Sequence, residues 1–190
     1  GEKSSNVHFA IDFLTGIQKR NLGDKEVKYI DVADKKVVVI GGGDTAMDCV
    51  RTSVREGATS VKCLYRRDEA NMPGSKKEVV NAKEEGVEFV FNVSPKSIKV
   101  ENDLAVGVEL LETSMSKSDT SGRQKVVLIE GSEYLEDADV IILALGFSPE
   151  VPSFLKELNV ETNSWGGIVV DSNFKTSNKK VYAGGDCQRG

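Results

Sequence analysis

The sequence is poor in the residues on which hydrolytic and metal chemistry depend. It carries one histidine, His8, and three cysteines, Cys49, Cys63 and Cys187, in 190 residues. The cysteines are odd in number, far apart and never in a Cys-x-x-Cys spacing, which suggests neither a disulfide framework nor a metal knuckle and fits a reducing compartment. No Ser-His-Asp, Cys-His or metal-ligand grouping can be assembled from a single histidine, and His8 is given no role. Positive charge is not in excess either. The 25 basic and 30 acidic residues leave a formal net charge of −5, which disfavours general attraction to nucleic acid or anionic lipid, so neither is expected as a partner. No apolar run approaches the ~20 residues needed to cross a bilayer. Gly1 to Asn6 lack the charged-then-apolar pattern of a signal peptide, so a cytoplasmic protein with no membrane association is expected.

What is present is 39% hydrophobic residues, enough to bury a sizeable core, in a pattern that alternates strand and helix. Val7, Ala10, Ile11, Leu14 and Ile17 recur at three-to-four spacing and predict an amphipathic helix from Val7 to Gln18, its apolar partner expected outside this sequence and Phe9, Phe13 and Leu14 left exposed. Val37 to Ile40 is a β-branched run of the kind buried on both faces of a parallel sheet. A helix is predicted from Asp44 to Glu56, with Gly57 as its stop. Thr59 to Tyr65 reads as a strand. Ser75 to Glu85 reads as a helix opened by a capping box of Ser75 and Glu78 and ended by Gly86. Val87 to Phe91 is a further strand. The order β-α-β-α-β implies a parallel sheet with helices packed on it. Ile98 to Val100, Ala105 to Leu111 and Lys125 to Ile129, with the polar stretch Ser114 to Arg123 between, suggest an antiparallel meander with one long hairpin. Ala138 to Leu145 returns to a buried parallel strand. Beyond it lie a helix from Ser153 to Leu158 and short strands at Gly167 to Val170 and Lys180 to Ala183. The fold class expected is α/β: a Rossmann-like, three-layer nucleotide-binding domain with a parallel sheet and an antiparallel β-meander.

The strongest chemical signal is Gly41-Gly42-Gly43-Asp44-Thr45-Ala46, a Gly-x-Gly-x-x-Ala stretch between a predicted strand and a predicted helix. In a dinucleotide fold Gly41 permits the tight turn, Gly43 lets backbone approach the pyrophosphate, and Ala46 keeps helix and strand close. Free amides at the helix start, aided by its positive dipole end, would bind the pyrophosphate. Asp44 would repel that group if turned inward, so it is expected to point away or to cap. The residue ending the second strand, roughly 20 positions on, contacts the adenosine ribose and is acidic in an NAD site. Here the positions are Tyr65-Arg66-Arg67. Two guanidinium groups suit the 2′-phosphate of NADPH, which they can grip as planar charge-assisted forks. Two blander readings stand beside this one: a glycine turn that merely joins strand to helix, and an arginine pair that is a solvated strand end neutralised by Asp68 and Glu69.

Taken together, Val38 to Cys49, Tyr65-Arg66-Arg67, Asn71-Met72-Pro73-Gly74-Ser75, Glu78 to Ala82, Glu84 to Phe89, Ala144 to Phe147 and Val181 to Asp186 resemble the small (β) subunit of bacterial NADPH-dependent glutamate synthases, over nearly the whole chain. The resemblance implies an NADPH domain inserted within a flavin domain, the chain leaving the flavin half and returning to it. Gly184-Gly185-Asp186 is then similar to the returning FAD motif, with Gly185 and Asp186 at the cofactor. Ala144-Leu145-Gly146 is similar to the strand end beside the nicotinamide nucleotide. Residues 1–34 would be the helix and connector at the flavin crossing, 35–150 the NAD(P)H-binding domain, and 151–190 the return segment. No first flavin-binding glycine motif and no cysteine-rich iron-sulfur segment is present, so an excised fragment, inactive alone, is expected. For the parent protein the resemblance implies that NADPH reduces FAD and that iron-sulfur clusters carry electrons to a large subunit, which forms glutamate from glutamine and 2-oxoglutarate. The expected partners are NADPH, the flavin domain of the same parent chain and that large subunit. The alternatives are a dihydropyrimidine dehydrogenase-like or ferredoxin-NADP transhydrogenase-like input domain, a non-catalytic nucleotide-binding module, and a scaffold that has lost its nucleotide.

Overall fold

The computed structural model describes residues 1–117 and 124–189. The tip of the expected hairpin, 118–123, lies outside the described residues. The chain divides into two compact units, Gly1–Gly146 and Phe147–Gly190.

In the first unit the elements run β1 (Val7–Phe9), α1 (Ala10–Asn21), β2 (Lys36–Ile40), α2 (Asp44–Arg55), β3 (Ser60–Tyr65), a 3-10 turn (Glu69–Asn71), α3 (Lys76–Glu84), β4 (Glu88–Phe91), β5 (Val93–Glu101), β6 (Leu104–Met115), β7 (Val126–Leu128), β8 (Tyr134–Asp137) and β9 (Val140–Leu143). Five strands form a sheet in the order β1-β9-β2-β3-β4, every neighbouring pair parallel. β5, β6, β7 and β8 form an antiparallel sheet centred on β6.

Alternation along the central strands builds the two cores. In β2, Val37 and Val39 face a cluster containing Phe13, Met47, Val50, Cys63 and Ile142. Val38 and Ile40 face another, containing Leu64, Ile141, Val108 and Leu110. A strand buried on both faces needs an unbroken apolar run, because period-two alternation then sorts side chains between two cores and not between core and water. The result is three layers: helices, parallel sheet, antiparallel sheet.

The opening segment departs from the expected single helix. Val7 to Phe9, with His8 in the middle, pair with Ile141 to Leu143 as a parallel edge strand, and the helix starts only at Ala10. Three residues are too few for a period of two to stand out against the helical spacing that follows. The apolar face of α1 also finds its partner within this chain. Phe13 and Ile17 are buried in the helix-side core, with Leu14 packed against it and only Phe9 of the three expected aromatic and aliphatic residues exposed.

The capping box does not form. Ser75 is the N-cap of α3, but its side chain makes no capping hydrogen bond, and the Glu78 carboxylate is instead held by Arg51 of α2 and by Asn81. Arg51 grips Glu85 as well, through Nε at 3.1 Å and Nη2 at 2.7 Å, and Arg55 joins it at 2.8 Å. These bonds tie α2 to α3 on one face of the sheet.

In the second unit α4 (Ser153–Glu157) and a four-residue α5 (Asp186–Arg189) are the only helices among the described residues. The strands expected at Gly167 to Val170 and Lys180 to Ala183 reduce to single bridges, Thr162 with Ile168 and Lys175 with Tyr182. Leu155, Val160 and Thr176 are its buried side chains, a core too small to support longer pairing. No helix among the described residues is long and apolar enough to cross a membrane.

Candidate functional site

The cleft of the first unit opens at the carboxyl ends of β2, β3 and β9, where an open α/β sheet presents its loops. Its volume is about 500 Å³. Gly41, Gly42 and Gly43 form one wall together with Thr45. Arg66 lines another, and Ala144, Leu145 and Gly146 a third.

The turn needs its glycines for separable reasons. Gly41 has φ +148°, and a β-carbon there would collide with the carbonyl oxygen of Ala144, the residue that continues β9 beside β2. At Gly42 a β-carbon would collide with the ring of Tyr65. Gly43, the N-cap of α2, has ordinary extended angles, φ −88° and ψ −179°, and a β-carbon there would meet nothing within 4 Å. Its smallness therefore serves the open space, and not the fold. No side chain caps α2. Its first backbone acceptor bond runs from Ala46 N to Gly43 O at 2.9 Å, so among the described residues the amides of Asp44 and Thr45 have no acceptor, as at any uncapped helix start.

Ala46 is fully buried beneath α2, away from the cleft. Asp44 is turned aside: its Oδ1 accepts the backbone N–H of Ser75 at 2.7 Å.

At the end of β3 the two arginines differ. Arg66 is exposed and lines the cleft, whereas Arg67 is half-buried and does not. Their carbonyls are anchored, Arg66 O by the Thr113 hydroxyl at 3.0 Å and Arg67 O by Asn92 N at 3.1 Å. Their guanidinium groups are not. Among the described residues neither has a carboxylate within 4.0 Å, and the buried Nε of Arg67 has no hydrogen-bond partner. The acids that follow are engaged elsewhere: Asp68 accepts Asn71 N and Nδ2 at 2.9 and 2.8 Å, and Glu69 pairs with Lys83 at 2.7 Å. A buried donor without an acceptor is costly to the fold.

Cys63 lies under the turn and donates to Gly41 O at 3.3 Å. Burial pushes its thiol, and that of Cys49 in α2, up to about 12, so neither offers a thiolate to the cleft. Gly185, at φ +74°, and Asp186, which opens α5, belong to the second unit and are exposed there.

Sequence reasoning missed Tyr65, Pro73, Ser94 and Pro95 as cleft residues. Tyr65 and Pro73 stood inside quoted motifs but carried no stated role. Ser94 and Pro95 come from the start of β5, a contribution visible only once the antiparallel sheet is packed on the parallel one.

A family model described as pyridine nucleotide-disulphide oxidoreductase matches residues 1–190. The chain is similar to the glutamate synthase [NADPH] small chain of Escherichia coli (strain K12), at 47% identity over 197 residues, which takes in 100% of this chain and 42% of that protein. To the corresponding small chain of Azospirillum brasilense the identity is 46% over 196 residues, 100% and 40% of the two chains. The putative oxidoreductase AegA of Escherichia coli (strain K12) is 45% identical over 197 residues, 100% and 30%. The chain thus spans less than half the length of these relatives. Among solved structures, Mycobacterium tuberculosis FprA in complex with NADPH superposes with a TM-score of 0.74 at 17% identity, over 100% of this chain and 54% of that one. Thioredoxin reductase of T. acidophilum does so with a TM-score of 0.66 at 22% identity, over 96% and 49%. At such identities these structures speak for the fold alone.

Proposed function

The chain belongs to the pyridine nucleotide-disulphide oxidoreductase family, and from that premise we propose that its first unit is the NADPH-binding part of a flavin-dependent oxidoreductase of the glutamate synthase small-chain kind. The observation that carries the reading is the pair Arg66 and Arg67 at the end of β3, two guanidinium groups that among the described residues have no carboxylate partner, beside a glycine turn where the helix amides of Asp44 and Thr45 likewise have no acceptor among them. Arg66 lines the cleft and would offer its fork to a 2′-phosphate, and Arg67 would add a second positive charge at the same strand end.

The residues present fit the nucleotide. Gly43 leaves the space that the pyrophosphate would fill beside the protein backbone, the α2 amides of Asp44 and Thr45 would donate to it, and Arg66 with Arg67 would hold the 2′-phosphate. Ala144 to Gly146 would border the nicotinamide end, where Leu145 is 68% exposed and free to cover a ring. Gly185 and Asp186 would supply one edge of a flavin site completed by other parts of a longer protein. When bound, NADPH supplies a hydride and FAD accepts it. This chain's own residues bind and orient; none is proposed as an acid, base or nucleophile.

In the whole protein, electrons would pass through iron-sulfur centres outside these 190 residues to a large-subunit partner that forms glutamate from glutamine and 2-oxoglutarate. A second reading, in which the same nucleotide unit feeds a different acceptor, is compatible with the 45% identity to AegA, described only as a putative oxidoreductase. Both readings share the NADPH step.

Binding of 2′,5′-ADP compared with 5′-ADP isolates the proposed phosphate site from the rest of the coenzyme. The reading expects tighter binding of the 2′-phosphorylated nucleotide by at least tenfold, the free energy of one charge-assisted hydrogen bond. Equal affinities, or none for either, would overturn it.

A further inference from the structure

Residues 68–75 run beside the glycine turn, closed on themselves at one place and pinned to their neighbours at three. The Asp68 carboxylate closes the 3-10 turn by accepting Asn71 N and Nδ2. The Tyr65 hydroxyl donates to Asn71 O at 2.9 Å, while its ring lies against Gly42. Gly74 N donates to Gly42 O at 3.0 Å. Ser75 N donates to Asp44 Oδ1 at 2.7 Å. One of these bonds ends on the turn itself and one on Asp44, the first residue of α2. The fit is close: a β-carbon on Gly74 would lie 3.1 Å from Gly42 O and 3.4 Å from Met47 Cγ. Between the pins, Pro73 lines the cleft.

Asp44 is an odd residue to find beside a pyrophosphate site. In the first helical turn a carboxylate favours the helix, yet it opposes a second anion at the same amides. The bond to Ser75 resolves the conflict by turning the charge away from the cleft and giving it a backbone donor. Resting on the nucleotide reading of the cleft, we propose that Asp44 is a positioning residue: its carboxylate latches the 68–75 strap onto the glycine turn, and the strap sets Tyr65 and Pro73 as walls of the nucleotide cleft. Those walls serve any dinucleotide. The latch therefore governs affinity for NADPH and NADH alike, whereas discrimination between them belongs to Arg66 and Arg67.

The test combines amide hydrogen exchange at Ser75 and Gly74 with titration of both coenzymes, on the 190-residue chain and its Asp44→Ala and Asp44→Asn variants. Asp44→Ala is expected to speed exchange at Ser75 at least tenfold and to weaken NADPH and NADH by a similar factor, about tenfold each. Asp44→Asn, which keeps a side-chain oxygen as acceptor, is expected to rescue most of both losses. Exchange at Ser75 unchanged in Asp44→Ala overturns the latch, and so does a loss confined to NADPH, which would put Asp44 in phosphate recognition. If Asp44→Ala does not fold, Asp44→Asn decides: a protected Ser75 amide supports the latch and an unprotected one overturns it. Should the parent bind neither coenzyme, the nucleotide reading fails separately, and exchange at Ser75 alone still decides whether Asp44 holds the strap.

Discussion

Gly41 and Ala144 approach so closely that no side chain fits between them: the Ala144 carbonyl oxygen occupies the place a β-carbon on Gly41 would take. The contact joins the end of β2 to the end of β9, so the glycine turn and the opposite wall of the cleft are set by one another. Gly41→Ala must move one of them and is also strained at φ +148°. It is expected to cost about 1–3 kcal/mol of folding stability, measured by urea denaturation, and to weaken coenzyme binding with it.

Gly43→Ala separates the two effects. The backbone there is ordinary and the added carbon meets open space, so stability should stay within about 1 kcal/mol, the usual penalty of alanine as an N-cap. Coenzyme affinity should nonetheless fall, because the methyl stands where backbone would approach the pyrophosphate. Paired denaturation and titration curves for the two variants check this. Equal destabilisation by both would show that Gly43 serves the fold.

Much of this architecture was legible in the sequence, and the parts that were not have physical reasons. Val37 to Ile40 announces a strand buried on both faces because no polar residue interrupts it. Gly41 to Ala46 marks the turn, since few sequences place three glycines between a β-branched run and a helix. β1 escaped because three residues carry too little pattern. β8, Tyr134 to Asp137, escaped because it lies largely exposed on the antiparallel sheet and so has no apolar face. Ser75 and Glu78 had the spacing of a capping box, but Arg51, brought in by tertiary packing, holds the Glu78 carboxylate, and the Ser75 N–H that would have donated to it donates to Asp44 instead. In the site, the glycines, Arg66 and Ala144 to Gly146 could be named in advance. The strap could not, because the bonds from Gly74 N to Gly42 O and from Ser75 N to the Asp44 carboxylate join residues more than 30 positions apart and leave no local signature.

Stability should depend on acid through the α2–α3 clamp. Hydrogen bonds from Arg51 and then Arg55 lower the Glu85 carboxyl from its ordinary 4.5 to about 2. The folded state then binds fewer protons than the unfolded state between those values, so this contribution is complete above about pH 5 and is lost as pH falls toward 2. Glu85→Gln should be less stable than the parent at neutral pH, by about 1 kcal/mol for a partly exposed cluster, and should lose less on acidification. Thermal unfolding from pH 7 to pH 3 gives the comparison. Parallel curves for the two proteins would contradict the clamp.

Thiol chemistry should be confined to one residue. Cys49 and Cys63 are buried, with thiols pushed up to about 12, while Cys187 is exposed. Titration with a chromogenic disulfide should release close to one equivalent from the folded chain and three after denaturation. Fast reaction of more than one thiol in the native state would mean that the helix-side core opens readily.

We propose that Arg66 and Arg67 read the 2′-phosphate of NADPH. The most direct test is titration of the parent and of the Arg66→Ala, Arg67→Ala double variant with NADPH and NADH at one fixed salt concentration. The account predicts that the parent prefers NADPH and that the double variant loses affinity for it on the order of a hundredfold, two charge-assisted hydrogen bonds' worth, with NADH little changed. A parent that does not discriminate, or a variant that discriminates as well as the parent, would contradict it.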